Sequence, residues 1–198
     1  MKKAHVFKYS QIVKTDRMKN IAQFSQHTSL TPPNIGAIAI NEEKESGVID
    51  QYKKGTITTE EFRTQLNKLI ENAAGKPVTN IETFDNCWNA MCVVESETLA
   101  KLHDLQQKHD FHIHIIAGTN ELQHNYIQAK IPKAPQKPSI SYTLSYELST
   151  LDKDLLKQNA EQNLKAQDYE PVWHIEEQHN YETNALEILG NYYGESSV

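Results

Sequence analysis

Residues Phe111 to His124 read FHIHIIAGTNELQH, and the change of pattern inside this stretch decides the fold. Phe111 to Ile116 is a dense run of isoleucine, histidine and phenylalanine that suits a strand. Ala117-Gly118-Thr119-Asn120 supplies small and turn-forming residues. From Glu121 to Gln128 the residues suit a helix. Strand, tight loop and helix in that order is how an open α/β sheet builds a site at the carboxyl ends of its strands.

Working outward, Ser96 is expected to cap a helix that carries Leu99, Leu102 and Leu105 on one face and feeds this strand. Downstream come a loop over 131–140 with Pro132, Pro135 and Pro138 three apart, and a short strand near Ser139 to Leu144. A helix is predicted over Lys153 to Lys165, then a strand over Pro171 to Ile175 that ends in Glu176-Glu177. A helix through Ala185, Leu186 and Leu189 closes at Gly190. At the other end, Ala4 to Phe7 and Ile12-Val13 read as one strand with a polar interruption. Thr15 to Thr31 reads as a helix with Met18, Ile21 and Phe24 on one face, ended by Pro32-Pro33. Ile35 to Ile40 is a small apolar patch, and Glu42 to Glu45 a solvated face. Gly55 reads as a helix stop and Thr58 as the next cap, with Glu61 at capping-box spacing. Phe62, Leu66, Leu69 and Ile70 continue as an apolar stripe, and a further helix contains Phe84, Trp88 and Met91. No internal repeat interrupts this order. Helices crowd the first half, and strand–helix alternation fills the second. The fold class expected is α/β: a Rossmann-like parallel sheet flanked by helices, with a helical excursion after the first strand.

A length of 198 residues fits one domain, or one domain with an insertion, and 38% hydrophobic residues can form a core at this length. The net charge of −6 gives no general attraction to nucleic acid or to an anionic membrane. No apolar run approaches the roughly 20 residues of a membrane span. The N-terminal MKKAHVFK is too polar for a signal-peptide core. Cys87 and Cys92 read as lying five apart on one helix, on different faces, where no disulfide joins them. A reducing, cytoplasmic setting is the default for such a chain.

Three segments carry a family resemblance: Tyr52-x-x-Gly55-x-Ile57-x-x-Glu60-Glu61-Phe62, Trp88-Asn89-x-Met91, and Ile115-Ile116-Ala117-Gly118-Thr119-Asn120-Glu121-x-x-His124. Their order and spacing resemble the haloacid dehalogenase-like hydrolase superfamily, in its subclass with a small helical cap. The resemblance implies a core over 1–14 and 92–198 and a cap insertion over 15–91. It also implies phosphoryl transfer through an aspartyl-phosphate, with Mg²⁺ as cofactor.

The motif positions depart from that chemistry. Lys8 stands where the resemblance places the nucleophilic Asp, and Ser10 where it places the following acid. Ala117 stands where a phosphate-binding hydroxyl is due, with Thr119 and Asn120 close by. In the third motif, Ser145 to Ser149 fits loosely, the lysine position falls on Asp152, and Lys153 is one residue late. Glu176-Glu177 matches the acidic pair that would hold Mg²⁺. A carboxylate attacks phosphorus because it is anionic at neutral pH. A lysine, with an ordinary pKa of about 10.4, is a cation that repels the metal. The expectation is therefore a pseudoenzyme that binds a protein or a small ligand in the old cleft. In it, the Lys8 ammonium lies against Glu176 or Glu177 in place of the metal's charge. The alternative is a divergent Mg²⁺-dependent phosphatase, for which Asp16 and Ser10 are the nearest substitute nucleophiles.

Other candidates read more simply. Thr119 and Asn120 suit capping as well as phosphate contact. His103, His109, His112, His114 and His124 lack a Cys or acid at ligand spacing, so they read as packed or surface residues, although His112 and His114 share a strand face. His174 and His179 flank the two glutamates without matching a zinc-protease pattern. Pro132 to Pro138 reads as a stiff surface loop rather than a peptide-domain ligand. Trp88 and Trp173 read as core or cap-interface packing.

Overall fold

The computed structural model describes residues 1–78, 80–130, 140–175 and 184–195. Its first strand, β1 (Lys2–Lys8), buries four consecutive residues, Ala4 to Phe7. Burial on both faces is the mark of an interior strand in a parallel sheet. The strand stops at Lys8. Residues Tyr9–Gln11 form a 3-10 turn, so Ile12-Val13 does not continue β1, contrary to the sequence reading. The Gln11 amide makes this turn rigid. Its oxygen accepts from the Lys8 N–H at 2.7 Å, and its NH₂ donates to the His174 carbonyl at 3.1 Å.

A two-residue strand, β2 (Lys14–Thr15), leads into five helices: α1 (Arg17–His27), α2 (Pro32–Glu42), α3 (Val48–Lys53), α4 (Thr59–Ala74) and α5 (Ile81–Asn89). Here the structure revises several expectations. Pro32-Pro33 opens α2 rather than ending α1, since proline lacks only an N–H that the first turn leaves unpaired anyway. The apolar patch Ile35 to Ile40 is the body of that helix. Met18, placed on the apolar face of α1, is instead 64% exposed. Thr58 caps α4 in a reciprocal capping box with Glu61, as its spacing indicates. These helices share one apolar cluster built around Phe24, Ile49, Tyr52, Phe62, Phe84 and Trp88.

The chain returns through β3 (Cys92–Val93), which pairs antiparallel with β2, so the two passages between the helical block and the sheet run side by side. Met91 and Cys92 therefore lie outside α5. Both cysteines are free and buried, and burial pushes both thiols up to about 11. Then follow α6 (Ser96–His109), β4 (His112–Ala117), α7 (Glu121–Lys130), β5 (Ile140–Leu144), α8 (Lys153–Ala166), β6 (Tyr169–Trp173) and α9 (Ala185–Tyr193). Glu95, not Ser96, occupies the cap position of α6, and its carboxylate is engaged with Lys14 and Thr98. Helix α9 runs through Gly190 and ends at Gly194. The Pro-rich segment over 131–139 lies outside the described residues.

The large sheet has the order β5-β4-β1-β6, with every pairing parallel. On one face, Phe7, Ile113 and Ile115 pack with Leu99 and Leu102 of α6, Ile127 of α7 and Leu189 of α9. On the other, Ala4 and Val6 pack with Leu164 of α8 and half-buried Trp173. All four strands deliver their carboxyl ends to the same edge, where the helical block sits. The α/β class, with a parallel sheet flanked by helices, is as the sequence indicates.

Candidate functional site

At that edge lies a cleft of about 370 Å³ between the sheet and the helical block. Four of the positions singled out in the sequence line it: Lys8, Ser10, Thr119 and Lys153. Lys8 is the last residue of β1, and Lys153 the first of α8. Three further cations line it that the sequence reading did not single out: Arg17, Lys53 and Lys157. Lys157 was visible in principle, because it lies four residues after Lys153 and so on the same helix face. Arg17 and Lys53 are brought in only by the packing of α1 and α3, which no local pattern foretells.

The remaining motif positions do other work. Ala117 is fully buried, and its carbonyl accepts from the Ser145 N–H at 2.9 Å. It places no hydroxyl in the cleft. Asp152 is turned to capping α8, accepting from the N–H groups of Asp154 and Leu155. Asp16 likewise caps α1 through the Met18 N–H, away from the cleft lining. Of the two substitute nucleophiles that the sequence offers, Asp16 is engaged in this cap and Ser10 lines the cleft.

Asn120 is fully buried and spent on structure. Its side-chain oxygen accepts from the Gln123 N–H at 3.1 Å and from the Trp88 indole N–H at 3.3 Å. Its NH₂ donates to Gln123 Oε1 at 2.8 Å. Tyr52 takes part beside it, since its hydroxyl accepts from the Leu122 N–H at 3.0 Å. Ser145, also fully buried, lies 2.9 Å from the carbonyls of both Thr119 and Lys53 and can donate to either. Gly55 completes this joint. Its φ of +66° is left-handed, and a Cβ there would stand 2.1 Å from the Tyr146 carbonyl oxygen. The Tyr52-x-x-Gly55 signature thus exists because the turn after α3 presses directly on the loop after β5.

The electrostatics of the cleft are one-sided. Among the described residues lining it there are five cations and no carboxylate. Arg17 and Lys53 share one nearby acid, Glu43, at 3.0 and 2.9 Å. Burial pushes the Glu43 carboxyl up, but Lys53 and Arg17 more than offset that and hold it below the usual carboxylate range. Glu43 is thus not the solvated acid expected from its sequence run. Lys8, Lys153 and Lys157 have no carboxylate partner among the described residues. Glu176 and Glu177, and with them the expected contact to Lys8, lie outside the described residues.

A hard divalent cation such as Mg²⁺ needs oxygen ligands, carboxylates above all. The described lining does not fit it. Nor do the described residues contain any group of three His, Cys, Asp or Glu placed to hold a metal. His109, His112, His114 and His174 have other partners, whereas the buried Nδ1 atoms of His103 and His124 have none among the described residues. His112 Nε2 and His114 Nδ1 both meet Ser141 Oγ at 2.7 Å, and His114 Nε2 meets Thr143 Oγ1 at 2.9 Å. His174 meets His5 at 2.8 Å and stacks on Phe7. No described helix is long and apolar enough to cross a membrane.

Compared with protein-family models, the sequence matches none, and no curated protein is similar enough to count as a relative. Solved structures do match. The HAD-family enzyme BT-2542 of Bacteroides thetaiotaomicron, as a magnesium complex, is 22% identical, with a TM-score of 0.60 over 82% of this chain and 78% of that one. The same wild-type enzyme with magnesium and inorganic phosphate is 21% identical, with a TM-score of 0.63 over 82% and 79%. A predicted HAD-like family hydrolase of Porphyromonas gingivalis is 16% identical, with a TM-score of 0.58 over 86% and 81%. Identity this low speaks for the fold alone, and on that level the agreement spans both the sheet and the helices. The chain has the haloacid dehalogenase-like fold.

Proposed function

We propose that this protein uses the haloacid dehalogenase-like fold without its phosphoryl-transfer reaction, and acts by binding a ligand in the cleft at the sheet edge. The observation that carries this is Lys8. It ends β1 and lines the cleft, the place where the reaction needs an anionic nucleophile. An ammonium there is neither a nucleophile toward phosphorus at neutral pH nor a ligand for Mg²⁺. Two further features support the same reading. The buried end of β4 offers Ala117 and no hydroxyl, and Asp16 and Asp152 are occupied as helix caps.

In this reading the helical block over 15–91 serves as the cap of the cleft. The cleft volume of about 370 Å³ suits a small molecule.

The test is hydrolysis of a generic phosphate ester with excess Mg²⁺, comparing the unaltered protein with a Glu176→Ala/Glu177→Ala control. The reading expects the same background rate in both, with both folded. Turnover that disappears in the double variant would instead establish a divergent phosphatase.

A further inference from the structure

We propose that the ligand is a small organic polyanion, held without a metal by cations from both sides of the cleft. This rests on the binding role proposed above and names the chemistry of that same site. The cations come from two separate bodies. Lys8, Lys153 and Lys157 project from the sheet side, on β1 and α8, and Arg17 and Lys53 from the helical block, on α1 and α3.

The chain as a whole is acidic, at −6, yet the described lining of this one cleft holds five cations and no acid. Like charges gathered around a confined space repel one another, and an opposite charge placed among them relieves that repulsion. Glu43 offsets Arg17 and Lys53 on the helical side only. The sheet-side lysines have no such acid among the described residues.

Two charged walls call for at least two anionic groups on the ligand. One faces Lys8, Lys153 and Lys157, and the other reaches Arg17 or Lys53. The lining also includes apolar Met91, Leu156 and Ile175 beside the hydroxyls of Ser10, Thr15 and Thr119, so it can take a short carbon body with polar groups. A nucleic-acid strand does not match a cleft of this size on an acidic protein. A ligand spanning both walls would also tie the helical block to the sheet across the paired passages β2 and β3.

The experiment uses the whole chain, freed of metal on an immobilised chelating resin, and follows thermal unfolding and calorimetric titration. The probes are inorganic phosphate, pyrophosphate and citrate. Pyrophosphate or citrate should bind saturably and raise the melting midpoint, and inorganic phosphate, with a single anionic group, should bind at least about tenfold more weakly. Preference for pyrophosphate assigns phosphoryl groups to the ligand, and preference for citrate assigns carboxylates. Lys153→Ala/Lys157→Ala on one wall, and separately Arg17→Ala on the other, should each weaken binding by about tenfold, the effect of one lost charged hydrogen bond or more. Ligand-free melting should be unchanged in Lys153→Ala/Lys157→Ala and should fall in Arg17→Ala by no more than the loss of its half-exposed contact with Glu43. Absence of binding by both polyanions would overturn the proposal, as would binding that either wall's substitution leaves intact or that requires Mg²⁺. Phosphate-ester turnover is a separate readout. Its appearance would remove the pseudoenzyme reading, while metal-free binding sensitive to both walls would still uphold the polyanion site.

Discussion

Two polar regions of this molecule are treated in opposite ways. At the joint between the helical block and the loops after β4 and β5, a set of polar groups is matched, although Asn89 Oδ1 of α5 and His124 Nδ1 of α7 are buried without a partner among the described residues. Asn120 serves Gln123 and Trp88, Ser145 reaches Thr119 and Lys53, and the Tyr52 hydroxyl meets both the Leu122 N–H and Thr59 Oγ1. The face of β4 beneath α8 is the same, with His112 and His114 satisfied by Ser141 and Thr143. In the adjoining cleft, three lysines have no carboxylate partner among the described residues. Buried polar groups stabilise a fold only when paired. The joint is therefore what holds the architecture, and the cleft is where charge is kept available for something else. Substitutions should separate the two regions by their effect on stability.

The largest effect belongs to the matched interior and is driven by acid. Burial drives His5 down to about 4, helped by neighbouring His174 and Lys3, and drives His114 to about 4, helped by His112. Unfolded, each histidine titrates near about 6.5, so below that pH the unfolded chain binds more protons and stability falls. From about pH 6.5 down to pH 5, each should cost about 2 kcal/mol. Urea unfolding at the two pH values measures it. His114→Gln should remove part of the slope, since burial also lowers His112 and His124, and a flat profile would contradict the assignment.

Next comes Gly55→Ala. A Cβ 2.1 Å from the Tyr146 carbonyl oxygen, at a left-handed φ, must move the joint itself. The expected loss is about 3 kcal/mol, read by denaturant titration. Asn120→Ala should cost somewhat less, about 2 kcal/mol, because it strands the Trp88 indole N–H and one N–H of the α7 first turn. Trp88 fluorescence should shift with it. The smallest effect is expected in the cleft. Lys153→Ala/Lys157→Ala should change ligand-free stability by less than about 0.5 kcal/mol, the range of unpaired surface changes. A loss as large as that of Asn120→Ala would erase the distinction between the two regions.

Much of this was legible in advance. The strand Phe111 to Ile116, the capping box at Thr58 and the helix after Asp152 each rest on local patterns that the structure repeats. The weaker readings were those that depend on what a residue meets across the chain. Pro32-Pro33 carries the same local signal for the end of one helix and the start of the next. Gly190 looks like a helix stop, yet α9 continues past it to Gly194. The candidate site divided along the same line. Lys8, Ser10, Thr119 and Lys153 do converge, because each sits near a strand or helix end at one sheet edge. Arg17 and Lys53 join them only through helices whose packing is set by a separate apolar cluster.

The central claim is that the described lining of this cleft carries cations where metal-dependent phosphoryl transfer requires carboxylates. Calorimetric titration of Mg²⁺ into the unaltered protein and into Lys8→Asp tests it most directly. The account predicts no saturable Mg²⁺ binding by the unaltered protein, and a gain of binding when the cation at the end of β1 becomes a carboxylate. Saturable Mg²⁺ binding by the unaltered protein that vanishes in Glu176→Ala/Glu177→Ala would contradict it.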